Sequence, residues 1–277
     1  MEANQVLEKS KVLFITQEIL PYVDQTIKGT VCRYLPQGVQ ERNREIRTFM
    51  PKFGLINERR NQLHEVIRLS GMNLIIDDID HPIIIKVASI SQVRVQIYFI
   101  DNDEDFKRRF LWTDEEGHFF DDNDERSLFF SRSVIETVRK LGWSPNVINC
   151  HGWMSALTPL YVNKIYRDNP LFSSSKVITT LYADDFQENL NDKLFDKLKF
   201  DGFDDEDINH FKQSNYLSLM KSAVDNSDGV IIAEKGINAE LEEYVKFKNL
   251  PVINYKRYDI DYLADTTDAF FNDIIES

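Results

Sequence analysis

The stretch Asn146-Val147-Ile148-Asn149-Cys150-His151-Gly152-Trp153-Met154-Ser155-Ala156-Leu157-Thr158-Pro159-Leu160-Tyr161 decides the fold. Val147 to Cys150 is short and mostly apolar, follows Ser144-Pro145, and reads as a buried strand. Gly152 permits a sharp turn. Trp153, Ala156, Leu157, Leu160, Tyr161 and Ile165 then recur at helical spacing. Strand, tight turn and helix form the unit of an open α/β sheet, whose ligands bind beyond the carboxyl ends of the strands. His151 falls at that mouth, near the helix start. Two readings stand open for it: an imidazole that faces a ligand, or one satisfied by local hydrogen bonds.

Outward from this stretch the same grammar repeats. Lys11 to Thr16 is an apolar run without alternation, as in a parallel strand covered on both faces. A loop from Gln17 to Ile27 leads to a helix opened by Gly29, with Val31, Cys32, Leu35 and Val39 in register and Pro36 able to kink it. Arg44 to Met50 is the next strand. Residues 64 to 100 hold three strand-like runs without helices between them, His64–Leu69, Pro82–Val87 and Val93–Ile100. They predict a β insertion. Asp77-Asp78-Ile79-Asp80 is an acidic turn that lacks the Gly and distal Glu of a calcium loop. Asn123 is expected to cap a helix that Lys140 and Gly142 end. Lys176–Leu181 is a further strand, residues 187–206 are a polar excursion open to disorder or docking, and Ile208–Ala223 is helical. Gly229–Ala233 and Pro251–Tyr255 are strands, and Ile237–Val245 and Asp259–Ile275 helices. The sum is a single domain over residues 1–277: α/β, with a Rossmann-like, doubly wound, mostly parallel sheet and a β insertion.

Composition narrows the partners. The formal net charge is −13 over 277 residues. Such a chain repels nucleic-acid phosphates and anionic membranes, and Lys107-Arg108-Arg109 and Arg59-Arg60 are too short to reverse that, so neither is expected as a partner. No run approaches the ~20 apolar residues of a membrane helix, and the first ten residues lack a signal-peptide core. A cytoplasmic location is the expectation. Cys32 and Cys150 lie in apolar patterns; buried thiols are expected, with one disulfide as the alternative.

Several blocks in order resemble one family. Lys11–Thr16 with Glu18 and Pro21 resembles the opening strand and Glu-x-x-Pro turn of bacterial glycogen synthases and plant starch synthases, and Leu35-Pro36 falls in the matching helix. Phe99-Ile100-Asp101-Asn102 with Phe106, and Asp122-Asn123-Asp124-Glu125-Arg126 with Phe129-Phe130-Ser131-Arg132, are similar to two further blocks. His151-x-Trp153 with Ala156-Leu157 resembles the His-Asp-Trp-His-x-Ala-Leu signature. The resemblance implies the N-terminal, acceptor-side half of the two-Rossmann GT-B architecture, with the C-terminal nucleotide-sugar domain absent. The family moves glucose from ADP-glucose or UDP-glucose onto an α-1,4-glucan, with retention.

The departures fall on the chemistry. The family's Lys-Thr-Gly-Gly-Leu loop, which faces the donor phosphates, aligns with Asp24-Gln25-Thr26-Ile27-Lys28. An Asp replaces the Lys there, with Lys28 and Gly29 as the alternative, a displaced substitute. The acid of the signature is Gly152 and its second His is Met154. A departing diphosphate needs preorganised cations. The resemblance therefore implies a glycogen/starch synthase-like protein without transferase activity alone, a pseudoenzyme that binds a glucan, a metabolite or a protein. The alternative is a glycosyltransferase active with a partner that supplies the missing half. An unrelated small-molecule enzyme with His151 as its acid-base group is a third reading. The expected binding residues are Glu18, Asp24, Gln25, Lys28, Gly29, His151, Trp153 and Tyr182; no catalytic residue, metal or cofactor is expected. Trp153 has a competing role as a core aromatic on its helix face.

Overall fold

A strand that is apolar at every central position needs cover on both faces, and β1 (Lys11–Thr16) has it. Val12 and Phe14 meet one hydrophobic layer, Leu13 and Ile15 the other. The computed structural model describes residues 9–90, 93 and 95–277. α1 (Ile27–Glu41) leads to β2 (Glu45–Pro51), and β3 (His64–Glu65), β4 (Met72–Ile76), β5 (Ile79–Ile90) and β6 (Val95–Asp101) follow without a helix. Then come α2 (Asn123–Leu141), β7 (Val147–His151), α3 (Leu157–Lys164) and β8 (Lys176–Leu181). The chain continues through α4 (Leu194–Phe200), α5 (Tyr216–Asp225), β9 (Gly229–Ile232), α6 (Ala239–Lys248), β10 (Val252–Asn254) and α7 (Ile260–Glu276).

The ten strands order as β10-β9-β8-β7-β1-β2-β6-β5-β3, with β4 paired to β5. Pairing is parallel from β10 through β6 and antiparallel around β5. α1 and α7 cover one face through Val31, Leu35, Val39, Leu263, Phe270 and Phe271. α2, α3, α5 and α6 cover the other, with Leu128, Leu157, Leu219 and Leu241 in the larger core. The strand order runs one way from β1 to β2 and the other from β7 to β8. The switch point therefore lies between β1 and β7, whose last residues, Thr16 and His151, are register partners.

The doubly wound, mostly parallel sheet with its insertion is as expected; the insertion differs in detail. The run at His64–Leu69 is a strand for only two residues, and it then turns at Val66, whose carbonyl accepts from Leu69 and Ser70. Met72–Ile76 is an additional strand. It forms a hairpin with β5 through Asp77 and Asp78, at φ 48° and 62°. Two consecutive positive φ values suit a tight hairpin turn, and Asp tolerates that region better than branched residues. The acids at 77 and 78 are thus turn residues.

Helix ends show the same correction of detail. Asn123 is the first residue of α2, not its cap: Nδ2 donates to the Trp112 carbonyl (2.8 Å) and Oδ1 accepts from Arg126 (2.7 Å). Gly142 ends α2 in the left-handed conformation, as a C′ glycine does. Residues 187–206 are not a featureless excursion. Leu190, Leu194, Leu198 and Phe203 are buried, and Lys197 lies under α4 with its ammonium 2.6 Å from both Asp124 and Glu125. The abundant acids had masked the four-residue spacing of those leucines. The Ile208–Ala223 segment splits into a 3-10 turn at Asn209–Lys212 and α5, capped by Asn215, which accepts from Ser218 N–H. Cys32 and Cys150 are free, buried thiols. Burial pushes the Cys32 thiol up to about 12, so it is no nucleophile. Among the described residues, no helix is long and apolar enough to cross a membrane.

α7 lies directly on α1. A Cβ at Gly38 would stand 2.5 Å from the Ala264 Cβ, so the two helices meet backbone to side chain. Gly38→Ala is expected to cost about 1–3 kcal/mol by overpacking, and Ala264→Gly in the same chain should restore part of it. Urea melts of the two singles and the double check this; singles that simply add would show that α7 can slide away.

Candidate functional site

The loops that leave the carboxyl ends of β1, β8 and β9 converge with the start of α1 on one cavity of about 490 Å³. Glu18 follows β1, Tyr182 and Asp184 follow β8, Glu234 follows β9, and Leu111 and Trp112 of the α2 approach close the far wall. This is where an open sheet binds ligands.

At its floor is a buried ion cluster. Lys28, in the first turn of α1, is 3% exposed; its ammonium is 3.1 Å from Glu18 Oε1 and pairs with Asp184 as well. Thr26 caps α1 by accepting from Gly29 N–H (2.8 Å) and donates to Glu18 Oε2 (2.6 Å). Tyr216 Oη donates to Asp184 Oδ1 (3.2 Å). Burial works against the Lys28 charge, but Asp184 and Glu18 outweigh it and hold the ammonium above its ordinary value. Lys28 also fills the space beside Gly152: a Cβ there would stand 2.8 Å from Lys28 Nζ and 2.8 Å from Gln17 Oε1. Gly152, at φ 77°, is needed for both its conformation and this contact.

His151 lies behind the wall. Its Nδ1 is 2.8 Å from Tyr182 Oη and its Nε2 2.8 Å from Asn149 Oδ1. Asn149 Nδ2 donates to Thr180 Oγ1 (2.8 Å) and to the Ile178 carbonyl (3.2 Å). Asn149 Oδ1 is therefore an acceptor, so His151 carries its proton on Nε2 and accepts the Tyr182 hydroxyl at Nδ1. Burial, with the Lys28 charge second, drives its pKa down to about 3. A neutral imidazole with both nitrogens engaged and 1% exposure offers no proton to a ligand.

The other expected residues separate in the same way. Glu18, Asp24, Lys28 and Tyr182 line the cavity. Gly29 is buried beneath it in α1. Gln25 is turned toward a neighbouring depression beside Thr30 and Tyr258. Trp153 is 1% exposed and packs against Trp112, Phe119 and Phe186 at centroid distances of 5.2–6.1 Å. Asp184, Glu234, Leu111 and Trp112 escaped the sequence reading. The first two had a usable signal, since each directly follows a parallel strand. For metal ions, Asp114, Glu116 and His118 bring their ligand atoms within 4.8 Å of one another among the described residues. That turn is exposed and already closed by its own bonds, with Asp114 accepting from His118 N–H (2.8 Å).

A doubly wound sheet with its cavity beyond the strand ends at the switch point defines a ligand-binding domain of the Rossmann-like class. The family described as starch synthase catalytic domain matches residues 11–249, and the chain belongs to it. A glycogen synthase of Chlorobium luteolum is 35% identical over 189 residues, which are 68% of this chain and 39% of that one. One of Chlorobaculum parvum is 32% identical over 209 residues, 72% of this chain and 42% of the relative. The chain thus spans about two fifths of the length of these relatives. In fold it is similar to the catalytic domain of starch synthase IV from Arabidopsis thaliana, solved with ADP and acarbose, at TM-score 0.71 and 18% identity. That likeness covers 89% of this chain and 51% of the other.

Two outcomes follow from His151. Removing it orphans Asn149 Oδ1 and the Tyr182 hydroxyl in a dry site, so His151→Ala should cost about 3 kcal/mol in urea melts; a loss under ~1 kcal/mol would mean that the network relaxes freely. The second is pH dependence. With the folded pKa near 3 and the unfolded one near 6.5, the unfolded chain binds the extra proton between those values. Stability contributed by neutral His151 is then intact above pH ~6.5 and falls by up to ~1.4 kcal/mol per pH unit below it. The wild-type slope between pH 6.5 and 4 should exceed that of His151→Ala by this amount, and equal slopes would contradict the buried neutral imidazole.

Proposed function

We propose that this chain is a glycogen/starch synthase-like half-domain that binds a neutral glucan at its strand-end cavity and does not transfer glucose by itself. The observation that carries this reading is the charge of the cavity. Four carboxylates line it, Glu18, Asp24, Asp184 and Glu234, against the single ammonium of Lys28, which two of them already neutralise. A nucleotide diphosphate would bring two or more negative charges into that field. At ~4 Å and an effective dielectric near 20, each unit pair costs about 4 kcal/mol. Of the first-turn amides of α1, Gly29 N–H is already taken by Thr26 Oγ1.

A glucan meets none of this cost. Its hydroxyls donate to carboxylates, and its C–H faces pack on the half-buried aromatic wall at Trp112. Of the two ligand types in the starch synthase IV structure, the glucan-like one suits this cavity and the nucleotide does not. A second reading rests on length. The relatives are more than twice as long as the matched segment, and arginines or lysines brought to the mouth by a further domain or a partner would neutralise the carboxylates and complete a donor site.

Calorimetry with maltoheptaose, ADP-glucose and UDP-glucose tests the proposal. Saturable heat with maltoheptaose and none with either nucleotide sugar is expected. Nucleotide-sugar binding by the chain alone would overturn it. Asp24→Lys, which restores a cation at the loop, is expected to raise affinity for ADP by roughly tenfold or more and to leave the oligosaccharide heat in place.

A further inference from the structure

A second cavity, of about 480 Å³, uses Leu20 to Tyr22 of the same β1–α1 loop and lies between α1 and the loop that joins β2 to β3. Its charge is opposite. Arg33 and Arg60 line it, and none of the described lining residues is acidic, in a chain whose net charge is −13. Other arginines of this protein sit on carboxylates: Arg42 on Asp265, Arg44 on Asp268, Arg108 on Asp122, Arg132 on Asp201. Arg33 instead donates one N–H to the neutral Gln37 (3.0 Å), and the Arg60 guanidinium has no partner among the described residues.

Two guanidinium groups that line one polar cavity, with no acidic residue among its described lining, make a field that favours an anion. Planar, forked donors suit the oxygens of a phosphoryl group in particular. The remaining walls favour a body attached to it. Tyr34 is 40% exposed, with the Arg33 guanidinium 5.1 Å from its ring centre. Asn61 and Gln62 add neutral amides on a loop fixed by Leu63 N–H to the Glu58 carbonyl (2.9 Å) and by Arg60 N–H to Asn57 Oδ1 (2.8 Å). The volume lies in the range of small-molecule sites.

We propose that this cavity binds a small phosphate ester of a polyhydroxylated compound, with the phosphoryl group between Arg33 and Arg60 and the hydroxylated body against Tyr34, Asn61 and Gln62. The site is separate from the strand-end cavity and stands whether or not a glucan binds there.

Titration of the whole chain with glucose 6-phosphate, inorganic phosphate and glucose tests it by calorimetry. The ester should bind saturably at one site, tighter than inorganic phosphate, and glucose should not bind. Arg60→Gln changes an exposed, unpaired side chain and keeps the fold; it should weaken ester binding roughly tenfold or more, as loss of a charged hydrogen bond does. Arg33→Gln should do the same. Tyr34→Ala should weaken the ester and leave inorganic phosphate unchanged. Equal affinity for the ester and for inorganic phosphate would overturn the assignment of the hydroxylated body. No binding up to about 10 mM, or binding indifferent to both arginine changes, would overturn the site itself.

Discussion

The ammonium of Lys28, clamped by Glu18 and Asp184 at the floor of the strand-end cavity, is the contact on which the site depends. A buried charge costs several kcal/mol to desolvate and persists only when well paired; loss of one partner costs about 3–5 kcal/mol. The clamp joins three elements distant in sequence: the turn after β1, the first turn of α1 and the loop after β8. It also sets the backbone on the far side, because Lys28 and Gln17 leave no room for a side chain at Gly152. A cation that must neutralise two carboxylates is not free to hold a phosphate. The same pair of bonds that holds the loop in place neutralises its one buried cation.

The second face of the sheet depends on residues beyond the family match. That match ends at residue 249, yet Phe270, Phe271 and Ile274 of α7 belong to the core that covers Phe14, Val147 and Ile178. Arg44, 6% exposed, ties β2 to α7 through Asp268 and Asn272. Without this helix, strands whose side chains are buried on both faces would expose one of them. This face of the sheet is therefore covered by α1 and α7 together.

The strands of the parallel sheet were legible because burial on both faces writes them as uninterrupted apolar runs, as in Val12–Ile15 and Val147–Ile148. Gly142 was legible because a left-handed C′ position admits few other residues. The short strand at Met72–Ile76 was not. Its alternation covers only Leu74 and Ile76, and the register depends on two aspartates with positive φ, which read equally well as a solvated turn. α4 was hidden because its apolar stripe is interleaved with acids and its one buried cation, Lys197, finds its partners about seventy residues away. The site was half legible. Position after a strand marks Glu18 and Tyr182, but whether a residue faces the cavity or its back wall is decided by tertiary hydrogen bonds. His151 ends β7 and Tyr182 follows the neighbouring β8, and of the two only Tyr182 lines the cavity.

The two cavities share a loop and divide its charge. Glu18 and Asp24 face one, while Leu20 to Tyr22 back the other, where Arg33 and Arg60 stand. The separation follows from helix geometry. Lys28 and Cys32 are one turn apart on the buried side of α1, whereas Arg33 and Tyr34 lie about a hundred and about two hundred degrees further round. A cation placed at 28 is consumed by the strand-end carboxylates, but one placed at 33 lies beyond their reach and stays available. One helix thus carries a neutralised cation at its first turn and an uncompensated one on its side. The strand-end opening is acidic, with Trp112 on its far wall, and in such a field neutral hydroxyl donors carry a smaller electrostatic cost than anions.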